Sequence, residues 1–165
     1  MKQSIIKSLA ILLAAAFLPA VASAQYFESD GIVYGITSEQ TVEVLSNYYL
    51  HNTPYSGAIA IPQTVEYGGN SYTVTALAES AFESCTTVTS ITLPPTIRSI
   101  GSHCFYNCTF TTLLLPDSLH RIDDHAFLYS SISSLHLPAC FEEYDEGSFW
   151  ARNLTSITVD ENKPF

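Results

Sequence analysis

Charged residues are scarce in this sequence, and basic residues are the scarcest of them. Only 13% of the 165 residues are charged, against about 25% in an average soluble domain. Six Lys and Arg stand against 16 Asp and Glu, which gives a formal net charge of −10 at pH 7. Nucleic-acid binding needs clustered cations, and a field of this sign repels a polyanion. The composition therefore excludes a protein that binds nucleic acid through a basic face.

The sequence also lacks the short motifs that mark catalytic, cofactor and metal sites. It contains no Gly-x-Ser-x-Gly, no phosphate-binding loop and no His-Glu-x-x-His. Cys104 and Cys108 have no second Cys pair or His pair at the spacing of zinc ligands. We therefore predict a non-enzymatic protein without a cofactor or a bound metal. Its polar surface comes from hydroxyl groups, since 20 Ser and 16 Thr are present.

The first 24 residues have the layout of a secretory signal peptide. Lys2 and Lys7 precede an apolar run that extends from Leu9 to Leu18. A stretch of small residues, 22–24, then supplies a cleavage site before Gln25. A membrane anchor is the alternative, but the run is shorter than the ~20 residues that a span needs. Cleavage leaves 141 residues with a net charge of −12. We expect an exported protein, at the cell surface or secreted, with no transmembrane segment in the mature chain.

The rest of the chain is organised by a 22-residue repeat. Short apolar-x-apolar segments recur at this period and, apart from the last, end in proline: 91–94, 113–116, 135–138 and 157–159. The same offset relates Phe105, Phe127 and Phe149. Alternating apolar positions predict a strand with one face buried, and proline ends it because proline cannot donate a ladder hydrogen bond. One unit cannot bury its own apolar side, so the units must stack into a solenoid with a parallel β-sheet along one face.

The repeat divides the chain into units of unequal length. Full units are 91–112, 113–134 and 135–156, and a truncated unit is 157–165. An expanded unit, 59–90, precedes them, and its segment 65–74 predicts a β-hairpin that turns at Gly68 and Gly69. The remaining segment of the mature chain, 25–58, is predicted to be β-rich.

The repeat pattern resembles that of a known family. The pattern Ile-x-Leu-Pro-x-x-Ile-x-x-Ile-x-x-x-(Ala/Cys)-Phe-x-x-Cys-x-x-Phe, which covers 59–165, is similar to the leucine-rich repeats of BspA-type bacterial cell-surface proteins. The segment from Tyr26 to Val44 resembles the β-rich part that commonly precedes such repeats. The resemblance implies a leucine-rich-repeat solenoid with a β-rich N-terminal cap. It also implies adhesion to host or microbial surfaces, or binding to another protein.

The cysteines allow two interpretations. Cys85 and Cys108 each follow the repeat phenylalanine by three residues, so they should lie on adjacent units about 4.8 Å apart. An exported protein permits a disulfide at this distance. The alternative, which we favour, is that each is a small core residue with a free thiol.

A cluster of His and Asp residues supports the rival hypothesis of a secreted hydrolase or metal-dependent enzyme. His103 and His125 are one repeat apart and should stack beside Asp123 and Asp124. Further carboxylates between Asp117 and Glu146 make this side acidic. Calcium loops bring glycines and carbonyl ligands at a fixed spacing, which this segment does not have. We therefore favour a solvated acidic face that Arg98 and Arg121 partly neutralise.

The most definable binding surface is the outer face of the predicted sheet. Residues that flank the buried strand positions must point outward, and they form two columns: Ser90, Thr112, Ser134 and Ser156, and Thr92, Leu114, His136 and Thr158. This outward sheet face is flat, uncharged and rich in hydroxyl groups. Such a surface suits a protein or glycan ligand bound through many weak contacts. Exposed β-forming residues without a ligand are the alternative.

The last segment, 157–165, starts a unit that the sequence does not complete. Repeat arrays need a terminal cap with a polar outer side. Three interpretations stay open: the chain is a fragment of a longer protein, its last residues fold over the end, or this end pairs with a second copy. The third predicts end-to-end self-association through 157–165.

Overall fold

The computed structural model describes residues 25–160. The predicted signal peptide and the last five residues, 161–165, lie outside this range. In the described range the chain forms twelve β-strands and one 3₁₀-helix, Asn47–Tyr49, with no α-helix. No helix in this range is long and apolar enough to cross a membrane.

The first three strands form an antiparallel sheet that continues into the repeats. They are β1 (Tyr26–Ser29), β2 (Ile32–Ile36) and β3 (Thr41–Val44). Strand β3 then pairs in parallel with a later strand, Asn70–Leu77. The N-terminal segment and the repeat array therefore share one hydrogen-bonded sheet.

The expanded unit contains the predicted hairpin. Its strands are β4 (Gly57–Ala60), β5 (Thr64–Tyr67) and β6 (Asn70–Leu77), and β5 pairs antiparallel with β6 so that Tyr67 lies opposite Asn70. Gly68 and Gly69 form the turn with φ of 58° and 81°, the left-handed values that a two-residue hairpin turn requires. The hairpin prediction is confirmed.

The repeat units carry parallel strands in two positions. The predicted position holds β7 (Val88–Thr92), which pairs with β4, and two later strands, Ser134–Leu137 and Ser156–Val159, which pair with each other. A second position holds β8 (Ser99–Ile100), β9 (Arg121–Ile122) and a strand at Glu143–Tyr144. These three extend the sheet from β6 in parallel. In chain order the later strands are β10 (Ser134–Leu137), β11 (Glu143–Tyr144) and β12 (Ser156–Val159).

The structure corrects one feature of the predicted sheet. Residues 112–115 form no ladder with β7 or β10, so the sheet at the predicted position is interrupted at the middle unit. Phe110 gives a physical reason: its buried ring packs edge-on against Phe105, with centroids 5.6 Å apart. The equivalent positions hold the smaller Val88 and Ile132.

A third side of the unit 91–112 is held to the next unit by a backbone ladder. His103, Phe105 and Asn107 donate their N–H groups to the carbonyls of residues 124, 126 and 128 on the next unit, at 2.8–3.2 Å. His103 and Asn107 have φ of 54° and 53°. The left-handed residues turn every second N–H toward the next unit, so this turn stacks without β-structure.

The core is a column of stacked phenylalanine rings. Phe82, Phe105 and Phe127 are fully buried, and their centroids lie 5.6 and 5.4 Å apart with nearly parallel planes. The ring of Tyr55 covers Phe82 at 5.1 Å. The repeat predicts Phe149 as the next member of the column, but Phe149 is half-buried and contacts the rings of Phe141 and Tyr144 instead.

Candidate functional site

The eight residues predicted to form the outward sheet face are all exposed. Strands β10 and β12 align their members in pairs, with Ser134 opposite Ser156 and His136 opposite Thr158. Leu114 is the most exposed large apolar side chain of the described range, at 86%. An isolated exposed leucine is common, but this one lies at the centre of a hydroxyl-rich face.

A shallow groove of about 270 Å³ lies on this face at the interrupted unit. Its lining comes from the segment without a ladder and from the two strands beyond it: residues 112–115, Ser134, Leu135, His136, Ser156 and Thr158. Six of the eight predicted face residues therefore line one groove. The other two, Ser90 and Thr92, lie on β7, outside this lining.

His136 is held in a fixed orientation on this face. Its Nδ1 lies 2.9 Å from Thr158 Oγ1, and its Nε2 lies 2.9 Å from Asp160 Oδ1. The other oxygen of Asp160 accepts a hydrogen bond from Ala139 N. Sequence reasoning missed Asp160, although its place two residues after Thr158, on the same alternation, was a usable signal.

The His and Asp residues of the enzyme hypothesis do come together. The rings of His103 and His125 stack with centroids 5.4 Å apart, and His125 Nδ1 lies 2.6 Å from Asp124 Oδ2. Asp123, however, accepts a hydrogen bond from Arg121. Within residues 25–160 the hydrogen bonds of the serine and cysteine side chains do not reach either histidine.

The acidic side is organised around one arginine. Arg121 contacts Asp123, Glu143 at 3.0 Å and Asp145 at 3.9 Å. The hydrogen bond to Asp123, with its charge and that of Glu143, raises the pKa of Arg121 above its usual value. Arg98 makes no ion pair with the residues that the structure describes, so Arg121 alone neutralises this side. No three His, Cys, Asp or Glu side chains in the same range are arranged to hold a metal ion.

Cys140 and His120 lie near each other on adjacent units. Their Sγ and Nδ1 atoms are 3.9 Å apart. His120 Nδ1 lies 2.6 Å from the carbonyl oxygen of Ser118, which only accepts, so this nitrogen carries its own proton. It cannot take one from the thiol of Cys140.

The cysteines are free thiols in the structure. Cys85, Cys104 and Cys108 are buried, and the thiol of Cys108 donates to the carbonyl oxygen of Phe82 at 3.0 Å. Burial raises the pKa of the Cys85 thiol to about 11 and that of Cys108 to about 12. Buried free thiols fit the alternative of small core residues, and the disulfide between Cys85 and Cys108 stays a prediction.

Alkylation of the denatured protein should detect four free thiols. We expect iodoacetamide to modify only the half-buried Cys140 in the native protein, because the other three thiols are buried and protonated. In denaturant without a reductant, mass spectrometry should find all four cysteines modified. Modification of only Cys104 and Cys140 in denaturant would show that Cys85 and Cys108 are joined.

Strand β12 is the last strand of the described sheet, and its apolar side chains are open. Ile157 is 43% exposed and Val159 is 36% exposed. The self-association predicted for 157–165 also depends on residues 161–165, which lie outside the described range. It stays a prediction.

The stacked 22-residue units, the parallel strands and the exposed strand face define a leucine-rich-repeat solenoid, a class of protein-binding repeat modules. A sequence model of the BspA type leucine rich repeat region matches residues 70–164 in six copies. The chain belongs to this family. A search of curated proteins found no match.

Solved structures of bacterial repeat proteins are similar to this chain. A leucine-rich repeat protein from Bacteroides capillosus matches with a TM-score of 0.68 and 23% identity, over 82% of this chain and 98% of that one. A leucine-rich repeat protein from Bacteroides ovatus matches with a TM-score of 0.61 and 29% identity, over 82% of this chain and 37% of that one. The pneumococcal vaccine antigen PcpA matches with a TM-score of 0.66 and 22% identity, over 84% of this chain and 38% of that one. The chain therefore spans nearly the whole of the first protein and about two fifths of the other two.

Proposed function

We propose that this protein is an exported, non-enzymatic repeat module that mediates adhesion or protein binding at a bacterial surface through its outward sheet face. The observation that carries the proposal is Leu114, which exposes 86% of its surface at the middle of that face. Exposing a large apolar side chain costs solvation free energy, and a partner that covers it recovers about 25 cal/mol per Å². A partner chain or glycan would lie across the hydroxyl groups around it.

Two further features support binding on this face. The groove beside Leu114 gives a partner side chain a place to enter. His136 is already oriented by Thr158 and Asp160, so it loses little conformational freedom when a ligand binds. Apolar contact surrounded by polar groups is the usual anatomy of a protein interface.

The proposed location rests on the sequence and on similar proteins. The first 24 residues have the three-part layout of a signal peptide. PcpA, which shares the fold, is a pneumococcal vaccine antigen. Both observations favour an exported protein that is held at the surface or released from the cell.

A double variant tests the outward sheet face. Leu114→Glu combined with His136→Glu places two charges at its centre, and both side chains are exposed, so the fold should tolerate them. We expect binding to host-matrix or microbial-surface extracts, measured by surface plasmon resonance, to fall about tenfold or more. Unchanged binding would contradict the proposal.

The matched control adds the same charge elsewhere. Gln40→Glu combined with Asn52→Glu changes two exposed residues of the N-terminal segment. This variant should bind as the unchanged protein does. An equal loss in both variants would show that net charge, and not the outward sheet face, governs binding.

A further inference from the structure

Aromatic side chains flank the repeat phenylalanines on the turns of three units and form a second, partly exposed surface. This aromatic stripe consists of His103, Tyr106, His125, Tyr129 and Trp150, which come from three successive units. Ring centroids are 5.4 Å apart for His103 and His125, 5.6 Å for Tyr106 and Tyr129, and 5.3 Å for His125 and Trp150. Trp150 is 55% exposed and Tyr129 is 46% exposed. Exposed Trp and Tyr are enriched where proteins bind partners.

One residue of the aromatic stripe, Tyr129, has an unfavourable backbone conformation. Tyr129 has a φ of 60°, and the equivalent positions in the two preceding units hold the smaller Ser84 and Asn107. The left-handed region disfavours bulky side chains, while asparagine tolerates it well. A tyrosine at this position therefore does not stabilise the left-handed backbone, and its exposed ring needs another explanation.

An acidic cavity adjoins the tryptophan end of the stripe. It has a volume of about 440 Å³, and its lining consists of Asp124, His125, Asp145, Glu146, Gly147 and Trp150. Three carboxylates face the cavity, whereas no Lys or Arg lines it. Arg121 approaches only Asp145, at 3.9 Å, from outside this lining. The cavity is therefore complementary to a cation.

Gly147 keeps this cavity open. It occupies the repeat position of His103 and His125, and a Cβ atom there would lie 2.5 Å from Asp124 Oδ1 and 2.8 Å from His125 Nε2. The unit that contributes Trp150 thus omits the side chain that the two preceding units place in this column.

The stripe already binds one cation of its own chain. The guanidinium carbon of Arg152 lies over the ring of Tyr129, 5.0 Å from its centroid. Arginine favours such stacking because its planar group is weakly hydrated. The exposed ring of Trp150 offers the same kind of contact, with carboxylates beside it and no Lys or Arg of residues 25–160 on its face.

We propose that the aromatic stripe and its acidic cavity bind a basic segment of a partner protein, with an arginine side chain stacked on Trp150 and paired with the carboxylates of Glu146 and Asp145. The outward sheet face is a separate surface, so this site does not depend on it. Charge complementarity favours a basic peptide over a neutral glycan, which would use the rings without needing three carboxylates.

Trp150 is the only tryptophan of the chain, so its fluorescence reports directly on this site. The probe is a peptide of alternating glycine and arginine, compared with the same peptide in which neutral citrulline replaces arginine. We expect the arginine peptide alone to change the fluorescence of the full-length protein, and added salt to weaken its binding. A neutral cello-oligosaccharide is the third ligand. An equal response to both peptides, or a response to the oligosaccharide alone, would overturn the proposal.

Variants separate the site from the general negative charge of the protein. Trp150→Ala should weaken binding of a fluorescently labelled arginine peptide about tenfold in anisotropy titrations. Glu146→Gln should weaken it, while Glu39→Gln, the same charge change on the exposed turn between β2 and β3, should not. Circular dichroism melts would verify that each variant is folded. Equal effects of the two glutamate variants, or full binding by a folded Trp150→Ala variant, would contradict the site.

Discussion

Phe105→Ala should lower the free energy of unfolding by about 3–5 kcal/mol. The ring of Phe105 is fully buried and is the middle member of the phenylalanine column, with Phe82 on one side and Phe127 on the other. Its loss leaves a cavity between these two rings and beside Phe110. Urea denaturation followed by circular dichroism measures the effect.

Phe149→Ala is the matched control, since it removes the same side chain at the same repeat position. Phe149 is half-buried and packs at the end of the column against Tyr144. We expect it to cost clearly less than Phe105→Ala. Equal costs would contradict the structure, because they would place Phe149 inside the column as the repeat predicts.

Tyr55→Phe should cost about 2–4 kcal/mol although it removes only one oxygen atom. The buried hydroxyl of Tyr55 accepts a hydrogen bond from Val33 N and donates one to Leu45 O, both at 2.9 Å. Without the hydroxyl, both backbone groups lose a buried partner, and each loss costs about 1–3 kcal/mol. Thermal and urea unfolding would measure the change.

Tyr48→Phe provides the comparison, since Tyr48 is 53% exposed and lies in the same part of the chain. Its substitution should change the free energy of unfolding by about 0.5 kcal/mol or less. A cost for Tyr55→Phe as small as this would show that water replaces the hydroxyl and that the hydroxyl does not hold β2 to the residue after β3.

The stacking of the units could be predicted because the apolar columns have a fixed period. Residues such as Ile100 and Ile122 recur at that period and are fully buried, and each must contact the same layer in the next unit. Departures from the period depend on side-chain volume, which the pattern does not record. Phe110 fits the apolar column as Val88 does, yet it lies on the unit that leaves the ladder.

The outward sheet face could be predicted because side chains alternate along a strand, so a buried position fixes its exposed neighbours. The aromatic stripe could be predicted only in part, since the period predicts that His103 stacks on His125 but marks no other member. It lies on turns with left-handed backbone, where side-chain directions do not follow a simple period. Trp150 also has no aromatic counterpart one unit earlier, where Leu128 stands, so no column marks it.

Strand β6 suits a folding order in which the repeat units are added one after another along the chain. It forms a hairpin with β5 through contacts that are local in sequence, and hairpins of this kind close within about 1–10 μs. Farther along the same edge it pairs with β8, on which β9 and then β11 are added, while its other edge pairs with β3. We infer that each added unit closes a loop of only about one repeat onto a template already formed. The loss of conformational entropy in each step is therefore small. A chain that emerges N-terminus first from the ribosome would form these templates in the order in which later units need them.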